Sequence, residues 1–264
     1  MNKVKIQGLE ISACHGVHAE EKVNPQPFVF DIEVHCDFEK NWQSDDLRNT
    51  VNYSAVCDLV ARTVRENNFN LIETLAYTCA YRILDNFAAQ GVDMTVYKPQ
   101  APVKHKFDRV GVSVSVKRTV AYLSLGSSMG DRKAYLDRAV ELLSKSSGIK
   151  VKKVSSYIQT EPVGGVAKNT FLNCAAEIQT YLSPHALLDE IQRIESECGR
   201  IRKERWGDRT LDIDIIFYGK QQVREDDLVI PHPEYLNREF VIEPLKEICP
   251  EFLCPACLKK IKNL

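Results

Sequence analysis

"VGVSVSVKRTVAYLSLGS", residues 110–127, decides how the chain is divided. Val110, Val112, Val114 and Val116 alternate with small or polar residues, the period of a half-buried strand. A second apolar run, "VAYLSLGS" at 120–127, follows at once and ends in a Gly-Ser turn. One strand stops and another starts with no tether between them. That pattern implies two compact domains placed close together and joined near 118–120.

Working back from the junction, "MTVYKP" at 94–99 reads as a strand stopped by Pro99. "FVFDIEVHCDF" at 28–38 alternates almost without fault, so 27–38 is a strand, and residues 3–14 read as another. Between these pairs, 53–67 and 71–88 read as helices, with Tyr53, Val56, Val60 and Val64 recurring at helical steps. The first half is expected to run ββααββ. Working forward, 131–146 is an amphipathic helix, and "VKKVSSYIQT" and "FLNCAAEIQT" alternate as strands. A helix follows from about Ser183 to Cys198, with Ser183 as its cap and Pro184 in its first turn. "TLDIDIIFYG" at 210–219 is the next strand, so both halves are α+β.

Bulk composition narrows the function. The 264 residues carry 35 Lys and Arg against 36 Asp and Glu, a net charge of -1. A protein that coats nucleic acid is usually more basic, so any basic site here is local. No apolar run is long enough to cross a bilayer, and "MNKVKIQGLE" lacks the core of a signal peptide. Nine scattered cysteines without a secretion signal are expected to be reduced thiols in a cytoplasm. The close pair Cys254-Pro-Ala-Cys257 has Cys249 just upstream but no second pair, whereas a structural zinc site needs about four ligands. The pair is expected to be unliganded.

The cations gather in "GRIRKERWGDRTLDIDIIFYG", residues 199–219. Arg200, Arg202, Lys203, Arg205 and Arg209 precede Asp212 and Asp214. Strand geometry puts the two aspartates on one face and Leu211, Ile213 and Ile215 on the other. Adjacent carboxylates are costly unless a cation lies between them. Mg²⁺ suits such a pair, because it takes one or two carboxylates and completes its shell with water and phosphate oxygens. Guanidinium groups grip phosphates in a bidentate way. Together these parts suit phosphoryl-type transfer. Taken singly, D-x-D also fits an edge strand after a solvated loop, and the basic run also fits a nucleic-acid patch. Trp206 within the run speaks against the first, and the paired acids against the second.

This stretch resembles the signature of the 6-hydroxymethyl-7,8-dihydropterin pyrophosphokinase family of folate biosynthesis. "AYLSLGSSMGDR", "TEPVGG…NTFLNCA" and "IPHPEYLNREFVIEPLKEICPE" resemble other family motifs, and the likeness runs over 119–253. It implies a ferredoxin-like domain over 119–264, with ATP as substrate and two Mg²⁺ ions held by Asp212 and Asp214. By the same resemblance, Arg200, Arg202, Arg205 and Arg209 belong to a catalytic loop, with Arg200 and Arg209 catalytic. His232, Arg238, Gln192 and Glu195 would serve ATP. Thr160, Val163 and Asn173 would hold the pterin, Phe171 and Phe240 would sandwich its ring, and Trp206 would close over it. Stacking between aromatic faces suits a flat heteroaromatic ring. Two positions depart from the family pattern: Asp208 stands where proline is usual, and Glu234 where arginine is common.

The first half is quieter. "HGVHAEEK" at 15–22 gathers His15, His18, Glu20 and Glu21 around a glycine. By residue type alone this is a metal site, an acid/base site or a polar loop. With "TVNYSAV", "NLIETLA" and "VYKPQAP" it resembles dihydroneopterin aldolase over residues 3–118. The resemblance implies a tunnelling-fold domain over 1–118 that needs neither a metal nor a Schiff base. Glu73, beside Ile72, would anchor the pterin, a carboxylate suiting its guanidine-like edge. Lys98 and Tyr53 would move protons, with Glu21 in the same site. Tetrameric or octameric rings with sites between subunits are also implied, as is a shared pathway: the product of the first half is the substrate of the second. No nucleic acid or membrane partner is expected.

Overall fold

A computed structural model describes residues 2–39, 42–43, 45–162, 169–200 and 207–264. The chain forms two compact units, Met1–Arg118 and Thr119–Leu264.

The first unit contains strands β1 (Asn2–Ala13) and β2 (Gln26–Cys36), then helices α1 (Tyr53–Glu66) and α2 (Ile72–Asn86). Strands β3 (Gly91–Tyr97) and β4 (Gly111–Lys117) complete it. The sheet is antiparallel in the order β1-β2-β3-β4. Its register aligns apolar side chains in rows: Phe30, Val96 and Val112, then Ile32, Met94 and Val114, then Val34, Val92 and Val116. The helices cover that face with Val56, Val60 and Val64 from α1 and Leu75, Cys79 and Ile83 from α2, all fully buried. Burying each large apolar side chain contributes on the order of 1.5–3 kcal/mol. Asn52 caps α1, its side-chain oxygen accepting from the N–H groups of Ser54 and Ala55 at 3.0 and 3.3 Å.

The second unit begins with β5 (Thr119–Ser127), α3 (Arg132–Lys145) and β6 (Ile149–Val154). It continues through β7 (Ile158–Thr160), β8 (Phe171–Thr180), α4 (Pro184–Glu197) and β9 (Asp212–Tyr218). A hairpin of β10 (Val223–Arg224) and β11 (Val229–Ile230) and the helix α5 (Glu239–Ile248) follow. The order β6-β8-β5-β9, antiparallel throughout, is that of a ferredoxin-like βαββαβ sheet.

One strand reading needs correction. "VKKVSSYIQT" is not continuous, because it breaks at Ser155–Tyr157 into β6 and β7, both paired with β8. Ser155 Oγ takes the Ala175 N–H at 2.9 Å, and the Ser156 N–H turns to the Glu247 carboxylate at 3.0 Å. Side chains thus take two N–H groups at the break, while the Ser155 N–H still bonds Ala175 O at 2.9 Å. Helix α5, which strand and helix periodicity did not mark out, supplies that Glu247.

The two sheet faces carry different cores. Leu136, Ala139 and Leu143 of α3 and Leu187, Ile191 and Ile194 of α4 pack with Ile213 and Ile215. Val241, Ile242 and Leu245 of α5 pack instead with Ile216 and Phe217. Opposite Tyr122 and Leu123 the register of β9 slips by one, leaving Ile216 as an extra residue. This bulge lets Ile216 and Phe217 share the α5 side, although strict alternation would separate them. Asp212 and Asp214 precede Ile216 on the same face.

Candidate active sites

The aspartate-bearing face of the second unit opens into a cleft. Thr160, Phe171, Asn173, Arg209, Asp212, Asp214, Arg238 and Phe240 line it, so eight of the residues singled out from sequence meet there. Ser124, Gly126 and Glu161 also line it and were not singled out. Ser124 and Gly126 had a signal, since they sit on a strand running into a Gly-Ser turn. The amide of Asn173 donates to Thr160 Oγ1 at 2.8 Å. Gly126 faces that amide closely, and a Cβ there would stand 2.8 Å from Asn173 Oδ1.

Charge is organised around the aspartates. Arg209 pairs with Asp212, and Arg200 reaches both Glu195 and, at 2.8 Å, Asp212. Arg238 stands 3.5 Å and His232 Nε2 3.9 Å from Asp214. His232 Nδ1 accepts the Glu234 N–H at 3.2 Å, which leaves the proton of the neutral ring on Nε2, toward Asp214. Burial, and then the Arg238 charge, push the His232 pKa down to about 4. Burial, and then the charge of Asp212, push Asp214 up to about 7. Burial beside a second carboxylate thus opposes ionisation of Asp214. That fits the expected Mg²⁺ site, since a divalent cation relieves such a carboxylate pair.

Glu195 is tied into the fold. Only 3% exposed, it accepts the Ile213 N–H at 2.8 Å and pairs with Arg200, so it ties α4 to β9 beneath the cleft. Gln192 is exposed on α4 and is not among the cleft-lining residues. Val163, Arg202, Arg205 and Trp206 lie outside the described residues. Asp208 accepts the Asn169 N–H at 3.3 Å.

In the first unit, Lys98 and Glu21 form an ion pair, each side chain 10% exposed. Lys98 follows β3, where its N–H bonds to Val110 O at 2.9 Å. Glu21 sits in a short 3-10 turn, Ala19–Lys22, and accepts the His18 N–H at 3.1 Å and a Gln26 N–H at 3.4 Å. Burial alone would raise the Glu21 pKa, but the Lys98 ammonium and these donors hold it down to about 2. Gly16, at φ +151°, makes room for it, since a Cβ there would fall 2.2 Å from Glu21 Oε2. His15 is fully buried, stacked on Phe69, and its Nδ1 accepts the Phe69 N–H at 3.1 Å. Its backbone oxygen accepts from Lys98 Nζ at 3.4 Å. Sequence reasoning left this histidine open, and the structure makes it a buried brace for the pair.

Tyr53 and Glu73 stand differently. They open α1 and α2 as exposed side chains, Tyr53 at 66%, and Ile72 beside Glu73 is half-buried. Among the described residues, neither Tyr53 nor Glu73 shows a hydrogen bond or ion pair to Glu21 or Lys98.

A family model described as "7,8-dihydro-6-hydroxymethylpterin-pyrophosphokinase (HPPK)" matches residues 122–250. The 2-amino-4-hydroxy-6-hydroxymethyldihydropteridine pyrophosphokinase of Bacillus subtilis is 46% identical over 132 residues, which cover 50% of this chain and 79% of that protein. The chain belongs to this pyrophosphokinase family. Ahead of the pyrophosphokinase domain it carries an aldolase domain, since the model "Dihydroneopterin aldolase" matches residues 4–115. Folic acid synthesis protein fol1 of Pneumocystis carinii is 30% identical over 269 residues, 95% of this chain. The chain spans only 36% of that relative's length. The solved E. coli dihydroneopterin aldolase in complex with neopterin is 30% identical, covering 44% of this chain and 98% of its own, with a TM-score of 0.41. The chain is thus a bifunctional folate-pathway protein with aldolase and pyrophosphokinase domains. No helix among its described residues is long and apolar enough to cross a membrane.

Proposed function

We propose that residues 1–118 cleave 7,8-dihydroneopterin by a retro-aldol step to 6-hydroxymethyl-7,8-dihydropterin and glycolaldehyde. Residues 119–264 then move the terminal pyrophosphate of ATP onto the new hydroxymethyl group, leaving AMP. The observation that carries the reading is the cleft itself, where Asp212 and Asp214 face Asn173, Thr160, Phe171 and Phe240. It offers an anionic end for a metal-nucleotide and an aromatic, amide-lined end for a flat ring.

In the second domain, Asn173 and Thr160 hold the pterin edge, with Val163 in the same segment. Phe171 and Phe240 stack on the ring and Trp206 closes over it. Bound Mg²⁺, as two ions on Asp212 and Asp214, would neutralise the triphosphate and polarise its bridging oxygens. Arg200 and Arg209 steady the charge of the moving pyrophosphoryl group, and Arg202, Arg205, Arg238, His232 and Gln192 bind ATP. A neutral His232 with its proton on Nε2 donates a hydrogen bond and adds no charge. Glu195 acts on ATP indirectly, by fixing Arg200 and the start of β9.

In the first domain, Glu73 binds the amino and ring N–H groups of the pterin, with Ile72 against the ring. Lys98 and Tyr53 move protons, and Glu21 sets the charge beside Lys98. The dihydropterin ring itself takes up the electrons of the broken C–C bond. A homo-oligomer, tetramer or octamer, completes this site. Supporting that, Tyr53 and Glu73 are exposed in the single chain, beside exposed Leu71. The nine unpaired cysteines suit a reducing cytoplasm.

The test is to incubate the chain with 7,8-dihydroneopterin, ATP and Mg²⁺, assaying glycolaldehyde and nucleotide separately. Glycolaldehyde together with AMP is expected. ADP in place of AMP would sink the pyrophosphokinase assignment, and AMP formed only when hydroxymethyl dihydropterin is supplied would sink the aldolase one.

A further inference from the structure

After α5 the chain folds into a small closed turn that neither reaction uses. The Cys254 N–H donates to Lys259 O at 2.9 Å, and the Leu258 N–H donates to Cys254 O at 3.0 Å. Leu258 takes φ +55° to allow this, and Leu253 bridges Lys260 across the turn. The turn brings two sulfurs to one hydroxyl: Tyr235 Oη is 2.7 Å from Cys254 Sγ and 3.7 Å from Cys257 Sγ. The Ala256 N–H points at Cys254 Sγ from 3.4 Å. Cys254 is fully buried, while Cys257 is half-buried and reachable from solvent.

The surroundings ease ionisation of Cys257. Burial works to raise its pKa, yet the Lys259 N–H, the Tyr235 hydroxyl and Cys254 bring it below the ordinary thiol value. Cys79, Cys174 and Cys249 are instead pushed up to about 12 by burial and stay inert thiols. Burial likewise raises Cys36, Cys57 and Cys198.

We propose that Cys254 and Cys257 form a reactive dithiol site that exchanges with low-molecular-weight disulfides of the glutathione-disulfide class. The Cys257 thiolate attacks one sulfur of the small disulfide, RSSR. A Cys257–SR bond forms, the S–S bond breaks, and RS⁻ leaves to take up a proton. Cys254 then loses its proton and attacks Cys257 Sγ, forming the Cys254–Cys257 disulfide and expelling the second RS⁻. Two protein thiols are oxidised and one RSSR is reduced to two RSH. The Tyr235 hydroxyl donates to Cys257 Sγ and so favours the attacking thiolate.

The test uses the full chain, fully reduced, with glutathione disulfide, followed by acid quenching and peptide mapping by mass spectrometry. A Cys254–Cys257 link, two hydrogens lighter than the dithiol, is expected. Cys254→Ser should halt at a glutathionyl adduct on Cys257, formed about tenfold faster than any adduct at half-buried Cys14 or Cys57. Cys257→Ser should leave Cys254 unmodified over the same interval, and Tyr235→Phe should slow the adduct step about threefold. Adducts at Cys14 or Cys57 as fast as at Cys257 would overturn the proposal, as would a Cys254→Ser chain without a Cys257 adduct.

Discussion

Gly16 and Glu21 occupy one small space: a Cβ on Gly16 would stand 2.2 Å from Glu21 Oε2, and Gly16 sits at φ +151°. The carboxylate that pairs with Lys98 is therefore held where only a glycine leaves room. Gly16→Ala should push Glu21 off Lys98. Glycolaldehyde release is expected to fall about tenfold or more, the size of effect that a misplaced catalytic group produces. AMP formation from supplied hydroxymethyl dihydropterin should be unchanged, because it depends on the other domain. Equal loss of both activities would mean general misfolding and would falsify this account of Gly16.

Glu21 and Lys98 are each 10% exposed, so neither charge is comfortable alone. Glu21→Gln removes the countercharge of the Lys98 ammonium, leaving it the His15 carbonyl at 3.4 Å and the Phe28 ring at 5.9 Å, and should destabilise the aldolase domain by about 3 kcal/mol. The folded pKa of Glu21, about 2, lies below its ordinary 4.5. The stabilisation is then complete above about pH 4.5 and disappears as pH falls toward 2. Urea midpoints of the aldolase transition, measured across that window, should decline in the natural protein. They should decline less steeply in Glu21→Gln; parallel slopes would remove Glu21 from the account.

Gly126 and Asn173 set up the pterin edge in the same way. Gly126→Ala would bring a Cβ to 2.8 Å from Asn173 Oδ1 and turn the amide away from Thr160. Affinity for hydroxymethyl dihydropterin should fall about tenfold, or ~1.4 kcal/mol. ATP affinity should hold. Calorimetric titration of each ligand separates the two, and a matching loss for ATP would count against the division of the cleft.

Asp212 collects Arg200 and Arg209, and Asp214 lies in the same cleft. Asp212→Asn should lower the rate of AMP formation by about 10²–10³, the usual cost of losing one electrostatic stabiliser. The Mg²⁺-dependent part of ATP binding should shrink with it, read as the difference between titrations with Mg²⁺ and with EDTA. Undiminished Mg²⁺ dependence in both Asp212→Asn and Asp214→Asn would place the metal elsewhere.

Much of this molecule is legible in its sequence. Strand alternation in "FVFDIEVHCDF" and "VGVSVSVKR", the Ser183 cap, and the one-face placement of Asp212 and Asp214 all follow from periods and spacings that act over a few residues. The motifs around Asn173 and Arg209 likewise pointed to the cleft. Tertiary structure alone decided how distant segments meet. Glu21 reaches Lys98 across 77 positions, and Glu195 turns inward to hold Ile213 and Arg200. The break between β6 and β7 belongs here too, because Glu247 of a distant helix supplies the acceptor that makes it stable. So does the bulge at Ile216, which splits β9 between two cores. Local pattern encodes which side of an element is apolar. It does not encode which buried carboxylate finds which cation, because that depends on packing and desolvation summed over the whole fold.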